Sequence, residues 1–261
     1  MLVTLAWALV LSGWVYVASP YRRQKAAIDA LQESGASIST EAADGPTWLR
    51  WLVGKDRFVR VSSVSFRNTE VSSKALASLE DLMDVPQLQF TGVSVTDNTL
   101  AALSQVNLPT KPEWLELHGT AVTGSGLEVM KDWSGLKRLF LNNNPITDDG
   151  LACLRGLTQV EWLELGETQI TDAGLKSLTS LKNLRRLGLV NTQVTDAGLK
   201  HLAALTNLEK LELYGTQVRD AGLKHLTGLT KLRELHLHHT QVTDEGVKQL
   251  QQALPNCDIG K

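Results

Sequence analysis

The side chains with most chemical potential lie towards the C-terminus: His236, His238 and His239, with Glu212 and Tyr214 24 positions earlier. Two imidazoles and a carboxylate are donor types for a zinc or nickel site. In a strand His236 and His238 face the same way, ~7 Å apart. A metal site needs three or four converging ligands braced by partners of their own, so solvated polar residues are the expectation here. Glu116 and Glu164 form a second pair, of the type that runs acid–base or glycoside chemistry. They are expected ~10 Å apart on an open sheet, with no pocket to shift either pKa. The sequence has no GxGxxG, P-loop, GxSxG, HExxH or paired CxxC motif. Cys153 and Cys257 are 104 positions apart, early in a mid-chain unit and at the end, so neither a disulfide nor a zinc site is expected of them. The expectation is no catalytic residue, no metal and no cofactor.

The elements that carry these residues repeat. The apolar residue closing each short L-x-L segment falls at Phe66, Phe90, Leu117, Leu141, Leu165, Leu189, Leu213 and Leu237, with steps of 24, 27 and then five of 24. The long step holds Asn107–Pro112, a loop insertion. A second signature follows each segment, as in NPITDDGLACL (144–154), TQITDAGLKSL (168–178), TQVTDAGLKHL (192–202) and TQVRDAGLKHL (216–226). Alternation at Leu187 and Leu189 marks a strand with one buried face. Asp172 and Asp196, or the Thr before each, suit a helix cap. Leu175, Leu178 and Leu181 then give one apolar stripe on a turn or two of helix. No unit hides its leucines alone; stacked units do. The column Thr69, Thr120, Asn144, Thr168, Thr192, Thr216, Thr240 is expected to hydrogen-bond buried turn backbone, with Val93 breaking it. Eight parallel strands would make a sheet of roughly 34 Å.

The pattern L-x-x-L-x-L-x-x-T-x-V-T-D-A-G-L resembles the leucine-rich-repeat superfamily over about residues 61–254. Its TDAGL element is similar to the cysteine-containing repeats of F-box proteins, with Thr in place of the subclass Cys or Asn. The layout, an apolar N-terminus, then RRQKAAIDALQESGASIS and WLRWLVGKDRF, also resembles bacterial membrane-anchored repeat proteins. The resemblance implies an α/β solenoid of about eight 24-residue repeats, with a parallel concave sheet and short helices on the convex side. It also implies protein recognition, including an F-box-like role in a larger enzyme complex. The stretch ahead of the repeats shows no F-box-like helical module, which weighs against that adaptor role.

On such a solenoid the outward strand positions are the binding surface. They include Trp114, Glu116, His118, Arg138, Phe140, Trp162, Glu164, Arg186, Lys210, Glu212, Tyr214, His236 and His238. Trp114, Phe140 and Trp162 are expected to neighbour one another on the solvent side, and clustered exposed aromatics mark protein-binding surfaces. The partner expected is a protein or peptide. A net charge of -2 over 261 residues, 21% of them charged, gives no footprint for nucleic acid.

The rest of the chain divides into an apolar segment (1–20), a cap region (21–60) and the repeats (61–261). Residues 2–18 are an uncharged apolar run followed by Arg22, Arg23 and Lys25. That suits a short membrane anchor with the repeats on the cytoplasmic side; a cleaved signal peptide and a buried helix are the alternatives. Ala27, Ile28 and Leu31 suggest a short helix over Gln24–Gln32 that stops at Gly35. Trp48, Leu49, Trp51, Leu52 and Phe58 are apolar enough to cap the core. Residues 253–259, ALPNCDI, read as a closing turn.

Overall fold

The computed structural model describes residues 19–43, 47, 51, 58–92 and 94–261. The apolar run 2–18, together with Trp48, Leu49, Leu52 and Val93, lies outside them. A helix over residues 19–33 leads into the strands β1 Ser37–Ala42, β2 Val59–Arg67, β3 Gln87–Thr91, β4 Trp114–His118, β5 Arg138–Phe140, β6 Trp162–Glu164, β7 Arg186–Gly188, β8 Lys210–Glu212, β9 Glu234–His236 and β10 Asp258–Gly260. They form one ten-stranded sheet in chain order. β1 runs antiparallel to β2, and every later neighbour is parallel. The fold is the α/β leucine-rich-repeat solenoid, and β2–β9 are the eight repeat strands.

Register follows the leucines. Leu115, Leu139, Leu163, Leu187, Leu211, Leu235 and Ile259 lie side by side across the sheet. All but the last are fully buried, in one core running from Ala27 to Cys257. The strands repeat at ~4.8 Å, and the bulkier helical turns behind them need more room, which curves the stack with the sheet inside. On the convex side a helical turn such as Asp172–Leu175 tightens into a 3-10 segment, Lys176–Ser180. With about three residues per turn, Leu175, Leu178 and Leu181 share one face, and all three are buried.

The polar column closes the turn after each strand. Thr168, Thr192, Thr216 and Thr240 donate their hydroxyls to the carbonyl three residues back, at 2.6–2.8 Å. Asn144 does more. Its amide donates to the carbonyls of Leu141 (2.8 Å), Asn142 (3.2 Å) and Leu117, while its Oδ1 accepts from the Thr120 N–H (3.0 Å) and hydroxyl. Thr69 departs from the pattern, because its buried hydroxyl has no hydrogen-bond partner among the described residues.

The TDAGL element has a meaning that spacing alone did not reveal. The Thr is the helix cap: Thr171 and Thr195 accept from Ala173 and Ala197 N–H. The Asp reaches across to the next coil. Asp172 takes the Thr195 N–H (2.8 Å) and hydroxyl (2.7 Å), and Asp148 and Asp220 hold Thr171 and Thr243 in the same way. Where Arg219 replaces Thr, Asp196 keeps only the backbone N–H at 2.7 Å. The Gly makes room for the previous coil's carboxylate, since a Cβ at Gly174, Gly198, Gly222 or Gly246 would lie within 3.0 Å of it. Two units lack the Asp. Ser73 stands in its place in the first, and Gly124 in the third, where the backbone packs directly on Gly150 instead.

Burial opposes the charge on Asp97, yet the hydroxyls of Ser125 and Thr123 and the N–H groups of Thr123 and Gly126 hold its pKa below the usual carboxylate value. Bonds from Thr243 do the same for Asp220. The stability these two carboxylates supply is present above the ordinary Asp pKa and lost as pH falls through their lowered values.

A second repeating column is backbone strain. Asn68, Gly92, Gly119, Asn143, Glu167, Asn191, Gly215 and His239 all take positive φ, from 52° to 108°, where each chain turns off its strand. Gly and Asn adopt this conformation readily; for Glu167 and His239 it costs roughly 1–2 kcal/mol each.

Two expectations for the N-terminal end change. The N-terminal helix is longer than 24–32 and itself covers the core through Ala27, Ile28 and Leu31. Its buried Gln24 donates to the Val59 carbonyl (2.7 Å) and accepts from Met83 N–H (3.2 Å), tying helix to sheet. Gly35, at φ 87°, turns the chain into β1, a strand that the apolar pattern did not suggest because most of its residues face water. Trp51 does not cap the core, being 83% exposed, and Phe58 stacks on Tyr21 at 5.0 Å in a small separate cluster. At the other end the chain turns at Pro255 and Asn256 and continues into β10, parallel to β9, with Ile259 against the core. Cys153 and Cys257 are both free thiols.

Candidate functional site

Alternation along each repeat strand buries the leucines and turns the residues before, between and after them to the open side of the sheet. The register aligns Trp114, Arg138, Trp162, Arg186, Lys210 and Glu234 in one row. Glu116, Phe140, Glu164, Gly188, Glu212 and His236 form the row beside it. His118 ends β4, and Tyr214 and His238 follow β8 and β9; all three are exposed.

The aromatic neighbours are brought together. Trp114 and Phe140 stack with centroids 5.4 Å apart, and Phe140 meets Trp162 at 4.9 Å. The three rings are half-buried rather than fully exposed, because two guanidiniums lie on them. Arg138 sits over Trp114 at 5.2 Å and Arg186 over Trp162 at 4.7 Å. Such contacts contribute ~0.5–1 kcal/mol at exposed positions and fix otherwise mobile side chains. The Trp162 indole N–H donates to Glu164 Oε1 at 2.5 Å, whereas the buried Trp114 Nε1 has no acceptor among the described residues.

Glu164 corrects the expectation of an open carboxylate without a pocket. It lies between Phe140 and Gly188, over a glycine whose missing side chain leaves the space; a Cβ there would run into the carboxylate. Burial pushes the Glu164 pKa up. The Trp162 bond opposes the rise, Glu212 on the far side of Gly188 adds to it, and Lys210 and Arg186 oppose it. A raised pKa in the folded state means that Glu164 favours folding at low pH, and that this contribution is lost as pH rises through the shifted value. Glu164→Gln is expected to remove that slope and to leave stability at neutral pH unchanged or higher by up to about 1 kcal/mol. Urea midpoints measured across the acidic range for both chains check it.

The C-terminal half of the strip is organised differently. Lys210 bridges Glu212 (3.0 Å) and Glu234 (3.2 Å), and Tyr214 meets His239 edge-on at 4.7 Å. His236, His238 and Glu212 do not converge, and no group of three His, Cys, Asp or Glu among the described residues could hold a metal ion. Glu116 and His118 remain on the strip without joining either cluster.

Reading outward positions only within strands missed the row just ahead of them. Glu113, Lys137, Glu161, Arg185, Glu209 and Arg233 alternate in sign at 24-residue steps. That alternation was visible in the sequence. Lys137 pairs with Glu113 at 3.0 Å and Arg185 with Glu209 at 2.6 Å. Exposed pairs of this kind contribute ~0–1 kcal/mol each. Glu161, Arg185 and Glu209 join Arg138, Trp162 and Arg186 around a shallow cavity of about 190 Å³.

Comparison with known proteins agrees with this geometry. Leucine-rich-repeat family profiles match residues 134–194 and 228–250. Among solved structures, an internalin (inlF) of Listeria monocytogenes is similar at 24% identity and a TM-score of 0.55, over 74% of this chain and 51% of that one. Internalin C2 of the same organism is similar at 28% identity and a TM-score of 0.54, over 72% of this chain and 73% of that one. The match thus spans about half the length of the first internalin. No curated protein sequence matches. The chain is a leucine-rich-repeat protein.

Proposed function

We propose that this chain is a recognition module that binds a protein or peptide on its concave sheet, without catalysis of its own. The observation that carries the reading is the continuous ring cluster Trp114–Phe140–Trp162 on three neighbouring strands, on the open side of the sheet. Tryptophan and arginine are the side chains most enriched where binding energy concentrates, and here each Trp carries an Arg. The strand backbones beneath are held rigid by the leucine column, so little conformational freedom is lost on binding. The leucine-rich-repeat class and the internalin-like fold support a protein-interaction module.

Membrane tethering belongs to the same proposal. It is supported by the apolar run 2–18 with Arg22, Arg23 and Lys25 behind it, an order that keeps the repeats on the cytoplasmic side. The run lies outside the described residues, and no helix within them is long and apolar enough to cross a membrane.

Substituting Trp114 and Trp162 together with Ala tests the binding surface. Capture of a partner from the native host, with the full chain as bait, is expected to fall at least tenfold, the scale of losing one hot-spot residue (~1.4 kcal/mol). The circular dichroism should stay unchanged, because both rings lie outside the leucine core. Undiminished capture by the folded variant would overturn the concave assignment.

A further inference from the structure

The strip is uneven in charge. Lys137, Arg185 and Lys210 each have a carboxylate within 4.0 Å. Arg138 and Arg186, the two on the rings, have no ion-pair partner among the described residues, and both are exposed. A guanidinium held over an indole by its positive charge, with no ion pair of its own, has N–H donors to offer in a fork that matches a carboxylate. Both therefore stand ready as anion receptors, pre-ordered by the rings beneath them.

Their spacing is also informative. The register places Arg138, Trp162 and Arg186 on successive strands, so the arginines stand ~10 Å apart with an indole between them. An extended peptide repeats its side-chain direction every ~7 Å, within the reach of two long arginine side chains. The cavity of about 190 Å³ is walled by Arg138, Trp162, Arg185 and Arg186 with Glu161 and Glu209, the last paired with Arg185, and it accommodates a side chain rather than a small-molecule ligand. Glu164, on the same strip, accepts a hydrogen bond from the Trp162 indole and makes no ion pair with either arginine.

We propose that the partner segment recognised by the concave strip is acidic: an extended stretch whose Asp or Glu side chains meet Arg138 and Arg186, with an apolar residue resting on Trp162 or Phe140. This rests on the concave-surface reading above and names the chemistry of its partner. Charge complementarity selects this occupant over a basic segment, which would bring ammonium or guanidinium groups against two unpaired cations.

The test is to pan the full chain against a displayed random-peptide library, in parallel with Trp114→Ala/Trp162→Ala and Arg138→Ala/Arg186→Ala chains whose circular dichroism matches the parent. Clones enriched on the parent are expected to carry Asp or Glu beside an aromatic or aliphatic residue. Synthetic versions should bind the double-arginine variant roughly tenfold more weakly or worse, and their binding to the parent should fall as salt rises. An Arg138→Lys/Arg186→Lys chain, which keeps the charge and loses the fork, should lie between. Neutral or basic clones that need the tryptophans but not the arginines would overturn the acidic partner and leave the binding surface standing. Clones that bind the double-tryptophan variant as well as the parent, or no enrichment over that variant, would overturn both.

Discussion

Gly198→Ala is expected to destabilise the chain by about 2–3 kcal/mol, although Ala is the better helix former by ~1 kcal/mol. The new Cβ would lie within 3.0 Å of Asp172 Oδ1 and 3.0 Å from Leu175 Cδ1. Displacing the carboxylate breaks its bonds to the Thr195 N–H and hydroxyl, the polar tie between two coils. Asp172→Ala alone should cost about 1–3 kcal/mol through those lost charge-assisted bonds. Once Asp172 is gone, a methyl group at position 198 no longer meets it, and the second substitution should be much milder. A double-mutant cycle by urea denaturation is expected to give a coupling of at least about 1 kcal/mol. Additive effects would show that the glycine is not kept small by its neighbour's aspartate.

Asn144→Ala should be at least as damaging, at about 3 kcal/mol or more. One buried side chain there serves the carbonyls of Leu117, Leu141 and Asn142 and the N–H of Thr120. Ala serves none of them, and each buried backbone group left without its partner costs about 1–3 kcal/mol. Asn144→Thr restores the short-range bond that Thr168, Thr192 and Thr216 make to their own coils, but not the reach to the preceding coil. Its stability should fall between parent and Ala variant. A Thr variant as stable as the parent would mean that the inter-coil bonds contribute nothing.

These two residues show what the sequence could and could not convey. The 24-residue period and the alternation in each L-x-L segment were enough to predict register, the buried leucine column and the meeting of Trp114, Phe140 and Trp162, because each follows from geometry within one repeat. The Thr column was legible for the same reason: a hydroxyl three residues past a carbonyl serves it locally. The aspartates were not, since Asp172 acts on Thr195, and nothing inside one TDAGL element tells a local cap from a bond across coils. Gly188 was opaque too. Its lack of a side chain matters only because Glu164 lies over it, which also misled the expectation about that carboxylate's pKa. The column from Asn68 to His239 could have been found, as Gly and Asn dominate one repeat position. β1 falls outside the period, so periodicity could not reveal it; β10 falls on it, since Ile259 lies 24 residues past Leu235, but the chain ends there before a second inward residue can mark the strand.

The account stands on the strip across β4, β5 and β6 being the surface a protein partner meets. Replacing Phe140 with a photo-crosslinking residue, and separately the exposed convex Lys200, compares the two faces of the full chain in its native host. A protein adduct is expected from position 140, absent from position 200, and lost when Trp114→Ala and Trp162→Ala are added. Adducts from position 200 alone, equal adducts from both faces, or a position-140 adduct indifferent to the tryptophans would contradict it.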